Sequence, residues 1–252
     1  MERTFAALFL LIIGLVIFTS YLNLTVINQP VVVSNFSFPS QIKPVKLENI
    51  TSSGVSLKIP AVDNQGNGVV TTLKVETKPG EGRVLVNINQ LLFWIDTQDS
   101  IRTAKEVAEN VTGIDTSNVD IIYEIETNAS IIEGPSAGAA MTIATIAALE
   151  NKTINQSVMM TGTINHDGTI GPVGGIVAKA KASKDVGATL FLVPLGQAVQ
   201  TYYKPEEYCK KFGPITYCTT EYKPERIDVA KEVGIQVKEV ANIQEALKYF
   251  LI

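Results

Sequence analysis

Residues Glu133–Glu150 read EGPSAGAAMTIATIAALE, and the interpretation of the whole chain turns on this stretch. Gly134 and Pro135 dictate a tight turn. From Ser136 onward Ala137, Ala139, Ala140, Ala144, Ala147 and Ala148 are interleaved with Met, Ile, Thr and Leu, which predicts a long helix of small residues. Ser136 falls at the start of that helix. Serine there is commonly an N-cap, accepting a backbone N–H. The same unpaired N–H groups suit an oxyanion equally well. Taken alone, the segment favours capping.

Working outward, Leu57–Ile95 alternates well enough for several strands, with Pro79-Gly80-Glu81-Gly82 a turn between the Val69–Thr77 and Arg83–Asn89 runs. Ser100–Asn110 is helical in pattern and Asn118–Thr127 is a strand. Downstream, Val158–Ile164 and Thr169-Ile170 flank the hairpin turn Asn165-His166-Asp167-Gly168. A helix over Ile176–Val186 and a strand over Thr189–Val193 follow, and Ile227–Val233, Ile235–Val240 and Ile243–Leu251 give helix, strand, helix. No internal repeat is present. Residues 54–252 thus read as one α+β domain. Gln200–Arg226 holds five of the eight Tyr and both Cys, and reads as an insertion.

Composition narrows the chemistry. The 252 residues carry 21 basic and 25 acidic side chains, a formal charge of −4. With no basic cluster, nucleic acid is not the expected partner. The single histidine, His166, excludes any metal site built on two His ligands. No Gly-x-x-x-x-Gly-Lys-Ser/Thr stretch occurs, and no metal or cofactor is expected.

The N-terminal end suggests an address. Phe5–Phe18 is apolar throughout apart from Gly14, and with Thr19–Leu22 it approaches the ~30 Å of a bilayer core. Residues 1–22 are expected to form a membrane anchor or uncleaved signal, since no small-x-small cleavage site follows. Residues 23–53, rich in Asn, Ser, Gln and Pro, read as a linker. The nearby cations precede the apolar run, so the remainder is expected on the extracytoplasmic side of the cell membrane. Asn-x-Ser/Thr sequons at Asn23, Asn35, Asn49, Asn110, Asn128, Asn151 and Asn155 exceed the roughly two that chance would give. Cys209 and Cys218 suit a short disulfide loop in an oxidising compartment; two buried thiols are the alternative.

If Ser136 is a nucleophile, something must take its proton. His166 lies in a turn where exposed polar residues are expected. A lysine can serve instead once burial lowers its pKa. At about 100° per residue, Lys181, Lys184 and Asp185 share the polar face of the Ile176–Val186 helix, while Lys179 falls within the apolar stripe among Ile176, Ala180, Ala182, Ser183 and Val186. A snorkelling lysine is the bland reading, but its small neighbours give the stem little to cover. Burying an unpaired ammonium is expensive, and neutralisation is the usual escape. Thr161, Ser183 or Glu133 could accompany it. Glu124 and Glu126 share one strand face, most simply a solvated one.

Gly134-Pro135-Ser136-Ala137-Gly138, Met160-Thr161-Gly162 and Pro172-Val173-Gly174-Gly175, ending at Lys179, resemble the proteolytic domain of Lon proteases. The similarity extends more loosely from about Val69 to the C-terminus. It implies a compact α+β fold and a serine endopeptidase with a Ser136–Lys179 dyad, cutting peptides or unfolded proteins through an acyl-enzyme. By the same resemblance Thr161 positions the lysine amine, backbone N–H groups around Ser136, including the Gly134–Ala137 turn, form the oxyanion hole, and a homo-oligomeric ring is a further expectation. Glu133 stands where bacterial members have Asp. The ATPase of a full Lon is not recognisable here, so ATP-independent action is expected, as in membrane-anchored archaeal Lon-like proteins. Two other functions compete: a non-catalytic envelope adaptor on the same fold, and a Ser–Lys amidase or esterase.

Overall fold

Two strands joined by the five-residue turn Asp63–Asn67, closed by the Asp63 N–H on the Asn67 carbonyl, make the first hairpin. Strand β1 (Ser53–Val62) pairs antiparallel with β2 (Gly68–Pro79), Leu57 opposite Leu73 and Ile59 opposite Thr71. The computed structural model describes residues 52–87, 92–93, 95–126, 131–132 and 134–252. The expected anchor and most of the expected linker lie outside the described residues. No helix among the described residues is long and apolar enough to cross a membrane.

The Pro79–Gly82 turn forms where the sequence places it, but the strand beyond it does not return along β2. β3 (Val84–Asn87) pairs parallel with β5 (Val119–Glu126), and β5 lies antiparallel to β2, giving the order β1-β2-β5-β3. Asp120 on β5 explains the diversion. Its buried carboxylate accepts the N–H groups of Glu81 and Arg83 and the Arg83 guanidinium at 2.7 Å, tying the turn to β5. These donors hold the Asp120 carboxyl well below the ordinary carboxylate range.

Two minor pairs follow, β4 (Leu92–Phe93) with β6 (Ile131–Ile132) in parallel, then β8 (Thr163–Ile164) antiparallel to β9 (Ile170–Gly171). A second sheet is wholly parallel, in the order β13-β10-β7, from β7 (Val158–Met160), β10 (Leu190–Pro194) and β13 (Gln236–Val240). Its crossovers carry α3 (Ile176–Asp185) between β7 and β10, and α4 (Val229–Val233) between β10 and β13. α5 (Ile243–Phe250) closes the described chain, its N-terminus capped by the Asn242 side chain on the Glu245 N–H.

Helix α1 (Ile95–Thr112) starts earlier than the Ser100–Asn110 pattern predicts. It packs on α2 (Gly138–Leu149), which is buried along its entire length. Alanine on every side lets α2 sit against α1, α5 and the β1-β2 hairpin at once, because a helix apolar all round has no face to give to water. Tyr123 from β5 reaches into this core and bonds Thr145 Oγ1 at 2.6 Å, which satisfies its phenol. A second cluster, including Met159, Ile176, Phe191 and Val229, joins α3 and α4 to the parallel sheet. Mixed α and β content matches the α+β expectation.

The insertion is a long antiparallel ribbon. β11 (Val199–Phe212) and β12 (Ile215–Asp228) pair along their full length across the two-residue turn Gly213-Pro214. Gly213 has φ 62°, the sign required at the first central position of a type II′ hairpin turn. Cys209 and Cys218 stand directly opposite each other and are joined by a disulfide.

Candidate active site

Ser136 sits in a single 3₁₀ turn (Pro135–Ala137) immediately before α2. Its side chain caps neither that turn nor the helix: the cap positions are Gly134 and Ala137, without side-chain hydrogen bonds. The hydroxyl is therefore free of the structural duty that serine usually has at such a place. The backbone is pinned instead. Ser136 carbonyl oxygen accepts the Gly162 N–H at 2.9 Å and the Thr161 hydroxyl at 3.2 Å, and the Ala139 N–H donates to the Gly162 carbonyl.

That pinning comes from a break the sequence does not announce. The expected Val158–Ile164 run divides into β7 and β8, and Thr161-Gly162 between them passes alongside the Ser136 turn. Gly162 is needed because a Cβ there would lie 2.4 Å from Ile170 Cγ2.

Lys179 enters from α3. It is 4% exposed, while Lys181 and Lys184 on the opposite face are in solvent. Lys179 Nζ lies 2.9 Å from Ser136 Oγ and 3.2 Å from the fully buried Thr161 Oγ1. No carboxylate faces it among the described residues. Burial without a counter-charge pulls the amine down to about 8 from the usual lysine range. Thr161 both accepts from the lysine and donates to the Ser136 carbonyl, fixing one side chain relative to the other. Ser183 does not face the amine; its hydroxyl bonds the Lys179 carbonyl one turn back. Glu133 lies outside the described residues.

The hydroxyl and amine open into a cleft of about 430 Å³. Gly134, Pro135 and Ala137 line one side, Pro172–Gly175 another, and Ile59–Val62 of the edge strand β1 a third. The β1 wall has no sequence signal, because it lies more than seventy residues upstream and is brought in by the sheet. Gln197 is also invisible from the sequence. Its side chain accepts the Val173 N–H at 3.0 Å and donates to the Val173 carbonyl at 2.9 Å, a two-point clamp on the wall.

His166 and the paired glutamates are elsewhere engaged. His166 is exposed in its turn and bonds Glu106 at 2.7 Å. Glu126 pairs with Lys74, and Glu124 accepts from Asn87, as a solvated strand face requires.

Residues 95–217 match the Lon protease (S16) C-terminal proteolytic domain family. An archaeal Lon protease from Thermoplasma volcanium is 34% identical over 128 residues, 50% of this chain and 20% of its own. A Lon protease from Phenylobacterium zucineum is 31% identical over 172 residues, 67% of this chain and 21% of its own. The protein from Metamycoplasma arthritidis, also a Lon protease, is 28% identical over 163 residues. The chain spans about a fifth of the length of these relatives. The resemblance read from the Ser136, Thr161 and Lys179 motifs is thus borne out.

Proposed function

We infer that this chain, matched over residues 95–217 to the Lon proteolytic domain, is a serine endopeptidase whose nucleophile is Ser136 and whose base is Lys179. The observation that carries this reading is the 2.9 Å approach of a buried, uncompensated lysine amine to a serine hydroxyl that caps nothing. The neutral amine takes the Ser136 proton as Oγ attacks the scissile carbonyl. The resulting ammonium then protonates the leaving amine as the C–N bond breaks, giving an acyl-enzyme and a free amino end. Water, deprotonated by the same amine, adds to the acyl carbonyl; the ester C–O bond breaks, the ammonium returns its proton to Ser136 Oγ, and the acid leaves. Oxyanion donors are assigned to the backbone of the Gly134–Ala137 turn, because the N–H groups of Gly138 and Ala139 already donate to Pro135 and Gly162. Thr161 positions the amine.

The cleft walls formed by Ile59, Val62, Pro172 and Val173 carry no charge, which favours an apolar side chain next to the cut bond. Cleavage is proposed to need no ATP and to act on peptides or already unfolded chains. We place the enzyme outside the cytoplasmic membrane, held by residues 5–22. The Cys209–Cys218 disulfide supports an oxidising compartment. Of the sequons, Asn110 and Asn151 are exposed, whereas the Asn155 amide nitrogen donates to the Tyr249 carbonyl and is committed; Asn23, Asn35, Asn49 and Asn128 lie outside the described residues.

The test is degradation of unfolded casein by the full chain in detergent without ATP, wild type against Ser136→Ala. Cleavage by wild type alone is expected, with apolar residues preceding the cuts. Equal cleavage by Ser136→Ala would reject the mechanism. A folded wild type that cuts neither casein nor small esters, and whose serine takes up no fluorophosphonate, would favour the adaptor reading; ester turnover alone would favour an esterase.

A further inference from the structure

We infer that the tip of the β11–β12 ribbon is a lipid-contacting wedge that enters the interface of a bilayer. Strand alternation and register place Tyr208, Lys210 and Phe212 on the same face as Ile215 and Tyr217, with Phe212 opposite Ile215 and Lys210 opposite Tyr217. Phe212, Ile215 and Tyr217 are 64%, 68% and 61% exposed, at the end of a ribbon that no other described element covers there. Charge is divided along the same ribbon. From Tyr208 to Tyr217 the only ionisable side chains besides tyrosine are Lys210 and Lys211, whereas the ribbon's carboxylates, Glu206, Glu207, Glu221, Glu225 and Asp228, all lie toward the root, among Lys204, Lys223 and Arg226. An apolar, cationic end on a chain of net charge −4 is complementary to lipid phosphates.

Size argues for lipid over protein. The three large side chains of the tip offer at most roughly 500 Å², less than the ~800 Å² a side that a stable protein interface buries, and the ribbon's other strongly exposed aromatics, Tyr203 and Tyr222, stand nearer the root. Insertion into a headgroup layer needs no such footprint. Aromatic rings rest at that level, and lysine stems run up to the phosphates. The disulfide, one step behind Tyr217 and one step ahead of Tyr208, staples the two strands where the load would fall, since an isolated two-stranded ribbon is marginal in water.

The inference rests on the membrane-side placement proposed above, and the experiment separates the two. The full chain is mixed with vesicles of phosphatidylcholine and phosphatidylglycerol carrying brominated acyl chains. Phe212→Trp at the tip is compared with Thr201→Trp at the root, each corrected for the native Trp94. Bromolipid quenching at least about threefold stronger at the tip is expected, and Lys210→Glu with Lys211→Glu should reduce it. Co-flotation of every variant reports the N-terminal anchor independently. Flotation with equal quenching at tip and root overturns the wedge alone; failure to float overturns both. A Phe212→Trp emission shift produced without vesicles, by casein or by raising the protein concentration, also overturns it and assigns the tip to a polypeptide. If Phe212→Trp melts early, Ile215→Trp supplies the same measurement.

Discussion

Lys179 Nζ reaches Ser136 Oγ at 2.9 Å across a separation of 43 residues, and the buried amine has a threonine hydroxyl, not a carboxylate, as its second partner. An aspartate or glutamate in that position would hold the lysine charged and leave it unable to accept a proton. Thr161 orients the amine without raising its basicity. In the proposed mechanism this arrangement keeps the base close to the pH at which it must work.

Activity should therefore rise with pH. The neutral amine is the competent form, and burial brings the lysine to about 8. The kcat/KM for a peptide is expected to increase about tenfold per pH unit below that value and to level off above it. A profile flat from pH 6 to 9 in an active enzyme would remove Lys179 as the base.

The same burial costs stability. The folded pKa is depressed below the unfolded one, so the unfolded chain binds more protons between about 8 and 10.5 and stability climbs with pH across that window. Below about pH 8 the penalty is present in full. Lys179→Met keeps the volume and drops the charge, and should melt higher than wild type at pH 7, by an equivalent of up to about 3 kcal/mol. The gap should close toward pH 10.5. Denaturant titrations at three pH values measure it, and a less stable Met variant at pH 7 would contradict the uncompensated-amine picture.

Gly175 is the hinge between cleft wall and α3. It has φ 69°, its carbonyl accepts the first helical N–H from Lys179, and a Cβ would come within 2.6 Å of Val62 Cγ2. Gly175→Ala should displace both the β1 wall and the lysine, lowering peptide cleavage at least about tenfold and stability by about 1–2 kcal/mol. Gly174→Ala, with open space around its Cβ, is the matched control for stability and should leave the melt nearly unchanged.

Reduction of the disulfide should be felt locally. Cys209→Ser with Cys218→Ser frees a ribbon that has little other support. Trypsin cleavage at Lys210 or Lys211 should accelerate several-fold, while the main thermal transition and peptide hydrolysis stay close to wild type. Loss of peptide hydrolysis in a variant with an unchanged melt would instead tie the ribbon to the cleft, through Gln200 and Gln197 on Val173.

Much of this was legible in the residues, and the limit has a physical cause. Helix α2 follows from its own run of alanines, and the anomalous place of Lys179 from the 3.6-residue period of α3, because both depend on neighbours a few positions away. The turns at Pro79–Gly82 and Asn165–Gly168 are local for the same reason. Whether Ser136 caps a helix or stands free could not be read locally, since that depends on the Ser136 carbonyl bonding Thr161 and Gly162. The parallel pairing of β3 with β5 needed the buried Asp120, and the cleft wall needed β1 folded across from the far end of the domain. Short-range sterics and periodicity are written in a segment. A pKa, a strand partner and an enclosed cleft arise only when distant segments exclude water together, and here that exclusion is what turns a lysine beside a serine into a candidate base.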